Sequence, residues 1–371
     1  MTNLFAIFFL VIYVGSMGSL LLIGWLRQQR KERKGTSESI SLDNITVIIP
    51  FRNEAERLSG LINSILSSSQ HVKQFIFIND HSTDNSSAII QASLAGLPFL
   101  IVDLPVELTG KKQAIKFGIK QANTAFILTL DADVSFHSHY FEALTQLKLA
   151  DLYVLPVTIT PIKFWQHFLE FDLIILQALN AGVSGWFRPI VASGANLLFS
   201  KSCYDTCSRL ELHEHISSGD DIYLLRDFRT AKKRIYLSTD LAVQVETEAP
   251  PSLREFLHQR IRWIAKTGHV KDTLANTIAI SQGIISVVFF GLLIYFFIST
   301  NYSLLALFFT AKYLLDVIFF APSFTRNRRA YSLLFLPFYQ LFFPFYYLFL
   351  LMLLPFFSPK WKGRIAGITK Q

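Results

Sequence analysis

Apolar residues along this chain fall into two textures. In the first, long uncharged or nearly uncharged blocks run at Leu4–Leu26, about Ile278–Ile298, Ser303–Ala321 and Leu333–Phe357. Each has the length of a bilayer-spanning helix, which needs about 20 apolar residues. In the second, from Ile45 to about Pro250, short apolar runs alternate with helical patterns. "ITVIIP" (Ile45–Pro50) predicts a buried strand, and Ala55–Leu66 a helix. "QFIFIND" (Gln74–Asp80) predicts the next strand, with a helix from about Asp84. "PFLIVDL" predicts a third strand, Lys111–Gln121 a helix, and "AFILTLDADVSF" (Ala125–Phe136) a fourth strand. This order predicts an α/β fold with a mainly parallel sheet covered on both faces. Ligands of such sheets bind at the carboxyl ends of the strands. Asn53, Asp80 and Asp131 fall at or just after those ends, so they are expected to cluster.

Composition and charge then place this domain beside a membrane. Of the 371 residues, 51% are hydrophobic, and the mean hydropathy is +0.37. The net charge is +8. Arg27, Arg30, Lys31, Arg33 and Lys34 follow the first apolar block, and Arg326, Arg328 and Arg329 separate two later ones. Basic residues beside spans mark the cytoplasmic side, which argues against nucleic acid as the partner. Because the cluster follows the first block and no small-residue cleavage site is visible, that block is expected to be an uncleaved anchor rather than a signal peptide. Its N-terminus is then outside and the following domain cytoplasmic.

"SLREFLHQRIRWIAKT" (Ser252–Thr267) is amphipathic, basic and aromatic-bearing, a composition suited to the membrane surface. The last apolar block carries Pro337, Pro344 and Pro355, and a basic tail, "KWKGR" (Lys360–Arg364), follows it. A simple span would place that tail outside, so a kinked or re-entrant hairpin is expected there. The expected organisation is an anchor (1–27), a basic and polar linker (28–44), the α/β domain (45–250), an interfacial helix (251–275), transmembrane or re-entrant segments (276–358) and a basic tail (359–371). Cys203 and Cys207 are the only cysteines, and their spacing suits neither a zinc ribbon nor a redox motif.

Candidate chemistry begins with Asp131 and Asp133. Two carboxylates one residue apart disfavour each other's ionisation unless a cation is near. Mg²⁺ or Mn²⁺ is the natural partner, because hard cations take oxygen ligands and combine one or two carboxylates with substrate phosphates. A solvated turn is the bland alternative. Asp80 and Asp84 lie in "INDHSTDNS", where Ser82, Thr83 or Asp84 is also a candidate helix cap. "PFRNE" brings Pro50, Arg52, Asn53 and Glu54 to the same edge. Lys111 and Lys112 follow Gly110 at a helix start, a phosphate-attracting arrangement or an ordinary basic helix start. Asp220 and Asp221 open a helical pattern, where acids are favoured by the dipole and where one is also placed to act as a general base. Arg262 can bind a diphosphate bidentately, and Trp263 can stack on a sugar or sit at the interface. His213 and His215 read as loop histidines more readily than as a metal site. Lys312 and Asp316, four residues apart in an apolar block, read as a structural ion pair or as a contact to a headgroup or to the α/β domain.

In order, "VIIPFRNE", "INDHSTDNS", "GKKQAIKFG", "LDADV", "SGANLLFS", "GDDIYLL" and "QRIRW" resemble the motif series of membrane-anchored family 2 glycosyltransferases. The resemblance covers about Ile45 to Trp263 and is nearest to the ceramide glucosyltransferase-like and processive-synthase subgroup. It implies a GT-A fold, a divalent cation, and inverting transfer from a nucleotide-diphosphate sugar, UDP-linked by preference. Carried over residue by residue, Pro50, Arg52, Asn53, Glu54, Asp80, Lys111, Asp131 and Asp133 match the donor side. Of these, the resemblance implies Asp133 as the direct metal ligand of the pair, beside Asp131. Asp221 matches the family's general base. Gly194, Asp220, Gln259, Arg262 and Trp263 match the acceptor and diphosphate side. Two positions depart: Asn79 stands where the family usually has Asp, and Asp220 where Glu is common.

A base at 221 implies a hydroxyl acceptor on a membrane lipid or lipid-linked saccharide, handled at the cytoplasmic face of a bacterial inner membrane. A processive polysaccharide synthase is the second reading. A scaffold or lipid-handling protein with a decayed transferase domain is the third, which the intact acids at 80, 131, 133 and 221 oppose.

Overall fold

The computed structural model describes residues 2–33, 39–209, 219–270, 272–354, 360–361 and 364–365. They form two compact units. An α/β unit comprises Glu32–Glu170, Pro189–His258 and Ser358–Gln371, and a helical unit comprises Met1–Lys31, Phe171–Arg188 and Gln259–Phe357. The expected continuous 45–250 domain is thus interrupted, because Phe171–Arg188 leaves it. The expected 251–275 segment is a helix over Leu253–Val270 that divides between the units at Gln259.

Ten of the described strands build the two larger sheets of the α/β unit: β1 (Ile45–Phe51), β2 (Gln74–Asn79), β3 (Phe99–Asp103), β4 (Phe126–Leu130), β5 (Val134–Phe136), β6 (Leu152–Val154), β7 (Val157–Thr160), β8 (Asn196–Ser200), β9 (Ile235–Leu237) and β10 (Val245–Glu248). The larger sheet runs β3-β2-β1-β4-β8-β6-β9, and the smaller runs β5-β10-β7. β3, β2, β1 and β4 are parallel, whereas β8 lies antiparallel between β4 and β6. All seven residues of β1 are buried, as a strand covered on both faces requires. The apolar runs of β1, β2 and β4 therefore encode interior strands, whereas β3 lies at the sheet edge, and the carboxyl ends of β1, β2 and β4 fall on one side of the sheet. The Lys111–Gln121 helix matches its expected bounds. It packs closely under the sheet at Gly118, where an added Cβ would stand 2.8 Å from Ile48.

The helical unit contains Thr2–Tyr13, a wider π-type turn over Val14–Gly24 and the Trp25–Arg33 helix as far as Lys31, followed later by Thr273–Ile298, Tyr302–Arg326 and Leu336–Leu353. Among the described residues, five helical segments are long and apolar enough to cross a membrane. Phe164–Trp186 is one of them, but it does not cross. β4 and β8 flank it in sequence and are hydrogen-bonded to each other, so a single crossing would separate paired strands. Its length serves packing instead. Phe171 lies 4.9 Å from the rings of both Phe324 and Tyr339. Gly182 and Gly185 meet the N-terminal helix so closely that a Cβ on either, or on Gly24, would overlap facing backbone.

Among the described residues of the last block, which end at 354, the expected hairpin is not formed. Ala330–Phe335 is a short 3₁₀ turn that leads directly into the Leu336–Leu353 helix. Pro337 sits in its first turn, where an N–H is dispensable. Pro344 removes one internal hydrogen bond without reversing the chain. Pro355 lies outside the described residues.

Lys312 and Asp316 form the structural ion pair, both buried. Lys312 Nζ donates to both Asp316 oxygens at 2.9 and 2.7 Å, and Tyr13 Oη and Gln340 Nε2 also donate to Asp316. The ammonium lies 4.1 Å from the Tyr13 ring centroid. Three segments distant in sequence thus meet on one carboxylate. Asp316→Ala strands a buried ammonium and is expected to cost about 3–5 kcal/mol, measured as a lowered denaturation midpoint of the purified protein in detergent. An unchanged midpoint would refute the structural role.

Candidate active site

The β1 and β2 ends are tied together by the residues that the sequence marks for the donor. Asn53 adopts a left-handed backbone with φ 50°, and its Oδ1 accepts from Thr83 N at 2.8 Å. Arg52 Nη1 donates to the Asp80 carbonyl at 2.8 Å. Glu54 is buried, and its backbone N–H donates to Ser86 Oγ at 2.9 Å. Pro50 pairs in register with Ile78 inside the sheet. Asp84 accepts from Ala55 N at 3.0 Å and from Ser86 Oγ at 2.6 Å. Asn85, rather than Ser82, Thr83 or Asp84, precedes the helix that begins at Ser86.

Asp80 is only 1% exposed, and its Oδ2 accepts from Gly110 N at 3.1 Å. Gly110 has φ 93°, a backbone that glycine tolerates, and it immediately precedes Lys111. Asp80 therefore sets the turn that presents the lysine. The departure at Asn79 has a local cause. Asn79 Nδ2 donates to Asp103 Oδ1 at 2.7 Å and its Oδ1 accepts from Ser82 N, so an aspartate there would face another carboxylate.

The central feature is Lys111. Its Nζ forms an ion pair with Asp131 at the end of β4. Burial works against the ammonium charge, but the carboxylates of Asp131, Asp220 and Asp221 more than offset it, holding the group well above the usual lysine range. Gly194 closes the cluster. Its N–H donates to Asp221 Oδ2 at 3.2 Å, and a Cβ there would stand 3.1 Å from Asp220 Oδ2 and 3.4 Å from Lys111 Nζ. Four of the marked elements thus meet: the β4 end, the Lys111 helix start, the loop before β8, and the helix Asp220–Thr230.

Asp133 is paired separately. Arg57 Nη1 donates to its Oδ2 at 3.1 Å, while Arg57 Nη2 binds Glu54 at 2.7 Å. Arg57 was not among the expected residues, and the only signal for it is the Glu54–Arg57 spacing of three. Burial disfavours the guanidinium charge, yet Glu54, Asp133 and Glu248 raise its pKa. The two acids therefore keep separate cations, Lys111 and Arg57, which offsets their mutual repulsion. Both remain partly open, with side-chain exposures of 32% and 22%. Two hard oxygen donors with open faces fit a Mg²⁺- or Mn²⁺-type cation whose other positions come from phosphate. Among the described residues no group of three or more His, Cys, Asp or Glu is gathered to hold a metal, here or elsewhere. His213 and His215 lie outside the described residues.

Gln259, Arg262 and Trp263 belong to the helical unit. Within it, Gln259 Oε1 is buried without a hydrogen-bond partner among the described residues. Arg260 lies 4.6 Å from the Trp263 ring centroid and pairs with Asp172 at 2.9 Å. Tyr339 Oη donates to the same Asp172 at 3.1 Å. Asp172 and Arg260 carried no signal in the sequence, because their pairing joins segments far apart in the chain.

Residues 46–171 match the family model described as Glycosyl transferase family 2. The chain is 37% identical over 97 residues to a poly-beta-1,6-N-acetyl-D-glucosamine synthase from Staphylococcus epidermidis, covering 26% of this chain and 23% of that protein. It is 36% identical over 92 residues to the protein of the same description from Staphylococcus aureus strain COL, covering 25% and 22%. The chain thus matches under a quarter of the length of these curated relatives. A mannosyltransferase from Pyrobaculum calidifontis, solved with GDP-Man and Mn²⁺, superposes with a TM-score of 0.49 at 16% identity, covering 72% of this chain and 76% of that one.

Proposed function

We propose, from the premise that this chain belongs to glycosyl transferase family 2 through residues 46–171, that it is a GT-A glycosyltransferase acting at a membrane. The donor is a nucleotide-diphosphate sugar and the acceptor a hydroxyl. The observation that carries this reading is the convergence of Lys111, Asp131, Gly194, Asp220 and Asp221 at the carboxyl edge of the sheet.

Asp131 and Asp133 would hold Mg²⁺ or Mn²⁺, which when bound neutralises charge on the diphosphate leaving group. Asp221 accepts the proton of the acceptor hydroxyl as that oxygen attacks the anomeric carbon from the face opposite the diphosphate. Its Oδ2 is oriented by the Gly194 N–H, which fixes the carboxylate without consuming all its acceptor capacity. Lys111 holds Asp131 in place and adds positive charge beside the leaving group. Asp80 acts on the donor side by fixing Gly110, and the sequence resemblance assigns it a nucleoside contact as well. Gln259, Arg262 and Trp263 keep the diphosphate and acceptor roles that the resemblance implies. The long apolar helices support placement in a bacterial inner membrane, with the transferase unit cytoplasmic.

A lipid or lipid-linked saccharide is the first acceptor reading. A growing polysaccharide is the second, favoured by the poly-beta-1,6-N-acetyl-D-glucosamine synthases that this chain resembles. One experiment separates them. Purified protein is given a panel of radiolabelled UDP- and GDP-sugars with membrane lipids, with and without Mn²⁺. Labelled lipid is the expected result, labelled polymer selects the second reading, and no transfer from any donor refutes both.

A further inference from the structure

We propose that Arg57 is a built-in counter-ion that competes with the divalent cation for Asp133, so that cation binding is coupled to arrival of the donor diphosphate. This rests on the metal reading given under Proposed function. Arg57 is the residue immediately before the Leu58–Leu66 helix, in the segment that follows β1, and reaches across to Asp133 just before β5. It makes a single end-on contact, Nη1 to Oδ2 at 3.1 Å, with Asp133. Its second nitrogen, Nη2, holds Glu54 at 2.7 Å, and the Glu54 side chain is 8% exposed.

The asymmetry of these two contacts decides what happens when a cation arrives. A divalent ion on Asp133 places two positive charges within a few ångströms of a guanidinium, which stays charged under all working conditions. Repulsion between like charges so close is large in a partly desolvated site. Arg57 must then release Asp133 or weaken the cation. Its hold on the buried Glu54 keeps it nearby in either case, so the released Nη1 remains at the site with an unused donor. A diphosphate reverses the balance. It adds negative charge between the two cations and offers Arg57 a phosphate oxygen in place of Asp133, a pairing that guanidinium geometry favours. Free cation is therefore bound weakly, while cation and diphosphate bind together. The coupling is reciprocal, so the cation strengthens nucleotide binding by the same factor.

The device differs from Lys111, which pairs with the other acid. Lys111 sits among three carboxylates, so a cation on Asp131 leaves it two further partners. Besides Asp133, Arg57 has Glu54 and Glu248 to fall back on.

The test measures Mn²⁺ binding directly on the full chain in detergent, by the electron paramagnetic resonance signal of free Mn²⁺, with and without UDP or GDP. Arg57→Gln is expected to bind Mn²⁺ alone about tenfold more tightly than the wild type, an ordinary size for a coupling of this kind. The gain in Mn²⁺ affinity on adding nucleotide is expected to shrink by the same factor. Arg57→Lys keeps a charge and is expected to stay near the wild type, and it also serves if Arg57→Gln fails to fold. In that case a Lys variant whose nucleotide-free Mn²⁺ affinity departs from the wild type's by tenfold in the weaker direction overturns the proposal, and one within threefold supports it. Equal Mn²⁺ affinity in the wild type and Arg57→Gln overturns this proposal alone. Absence of Mn²⁺ binding by every form in the presence of nucleotide overturns it together with the metal reading.

Discussion

Asp221→Asn is expected to lower sugar transfer by about 10²–10⁴-fold, the range supplied by a positioned general base. The substitution is nearly isosteric. The carboxamide oxygen can still accept from Gly194 N, the contact made by the native side chain at 3.2 Å, while the amide nitrogen gives up the acceptor that now takes Ile222 N at 2.8 Å. What is lost is the ability to take a proton. Donor binding should therefore survive, with the affinity for the nucleotide sugar within about twofold of the wild type, while turnover collapses. Initial rates of labelled-sugar transfer and calorimetric donor titration on the same preparation measure both. Full retained turnover would remove Asp221 from the chemistry and would favour an acceptor that is already anionic.

Lys111→Met should have the second largest effect, and on a different step. It leaves Asp131, Asp220 and Asp221 close together without the ammonium that now joins them. Removing one partner of a largely buried charge pair costs about 2–5 kcal/mol. Lys111 retains 22% side-chain exposure, so the lower part of that range applies. Donor affinity is accordingly expected to fall roughly 30–100-fold, with Lys111→Arg recovering most of it. The pH dependence has a definite sign. A lysine whose folded pKa is raised contributes stability that is fully present below its unfolded value and is lost only as pH rises through the raised one. The raised value of Lys111 keeps its charge constant across neutral and mildly alkaline pH. No loss of donor affinity on the alkaline side should therefore trace to this residue, and a loss near pH 8 that disappears in Lys111→Arg would contradict the assignment.

Both predictions rest on residues that the sequence itself marks. Asp131, Asp133, Asp220, Asp221, Lys111 and Gly194 stand out because local pattern places them at strand ends and helix starts. The Lys111–Gln121 helix and the four parallel strands follow from period alone, since a fully buried strand such as Ile45–Phe51 needs a continuous apolar run. The family resemblance then supplied the roles, and the match over residues 46–171 agrees with it.

Other features were out of reach for a reading of local pattern. Phe164–Trp186 has the apolar length of a span, and only the pairing of β4 with β8 shows that the chain must return to the same side. The prolines of the last block predicted a reversal, but a proline in a first turn and one inside a helix are both tolerated by the Leu336–Leu353 segment. The antiparallel placement of β8 between β4 and β6 brings the 194 loop to the acids.

By itself, then, the sequence determined which acidic and basic residues stand at strand ends and helix starts, where four of the strands run and which segments are apolar enough for a bilayer. Those properties depend on side-chain type and on periods of two or 3.6 residues, which neighbours in the chain express. Tertiary structure alone decided who neutralises whom. Arg57 with Asp133, Lys111 with Asp131, Asp172 with Arg260, and Tyr13 and Gln340 on Asp316 are all contacts between distant segments. Their geometry is set by sheet order and helix packing, and charge separation along the chain carries no record of it.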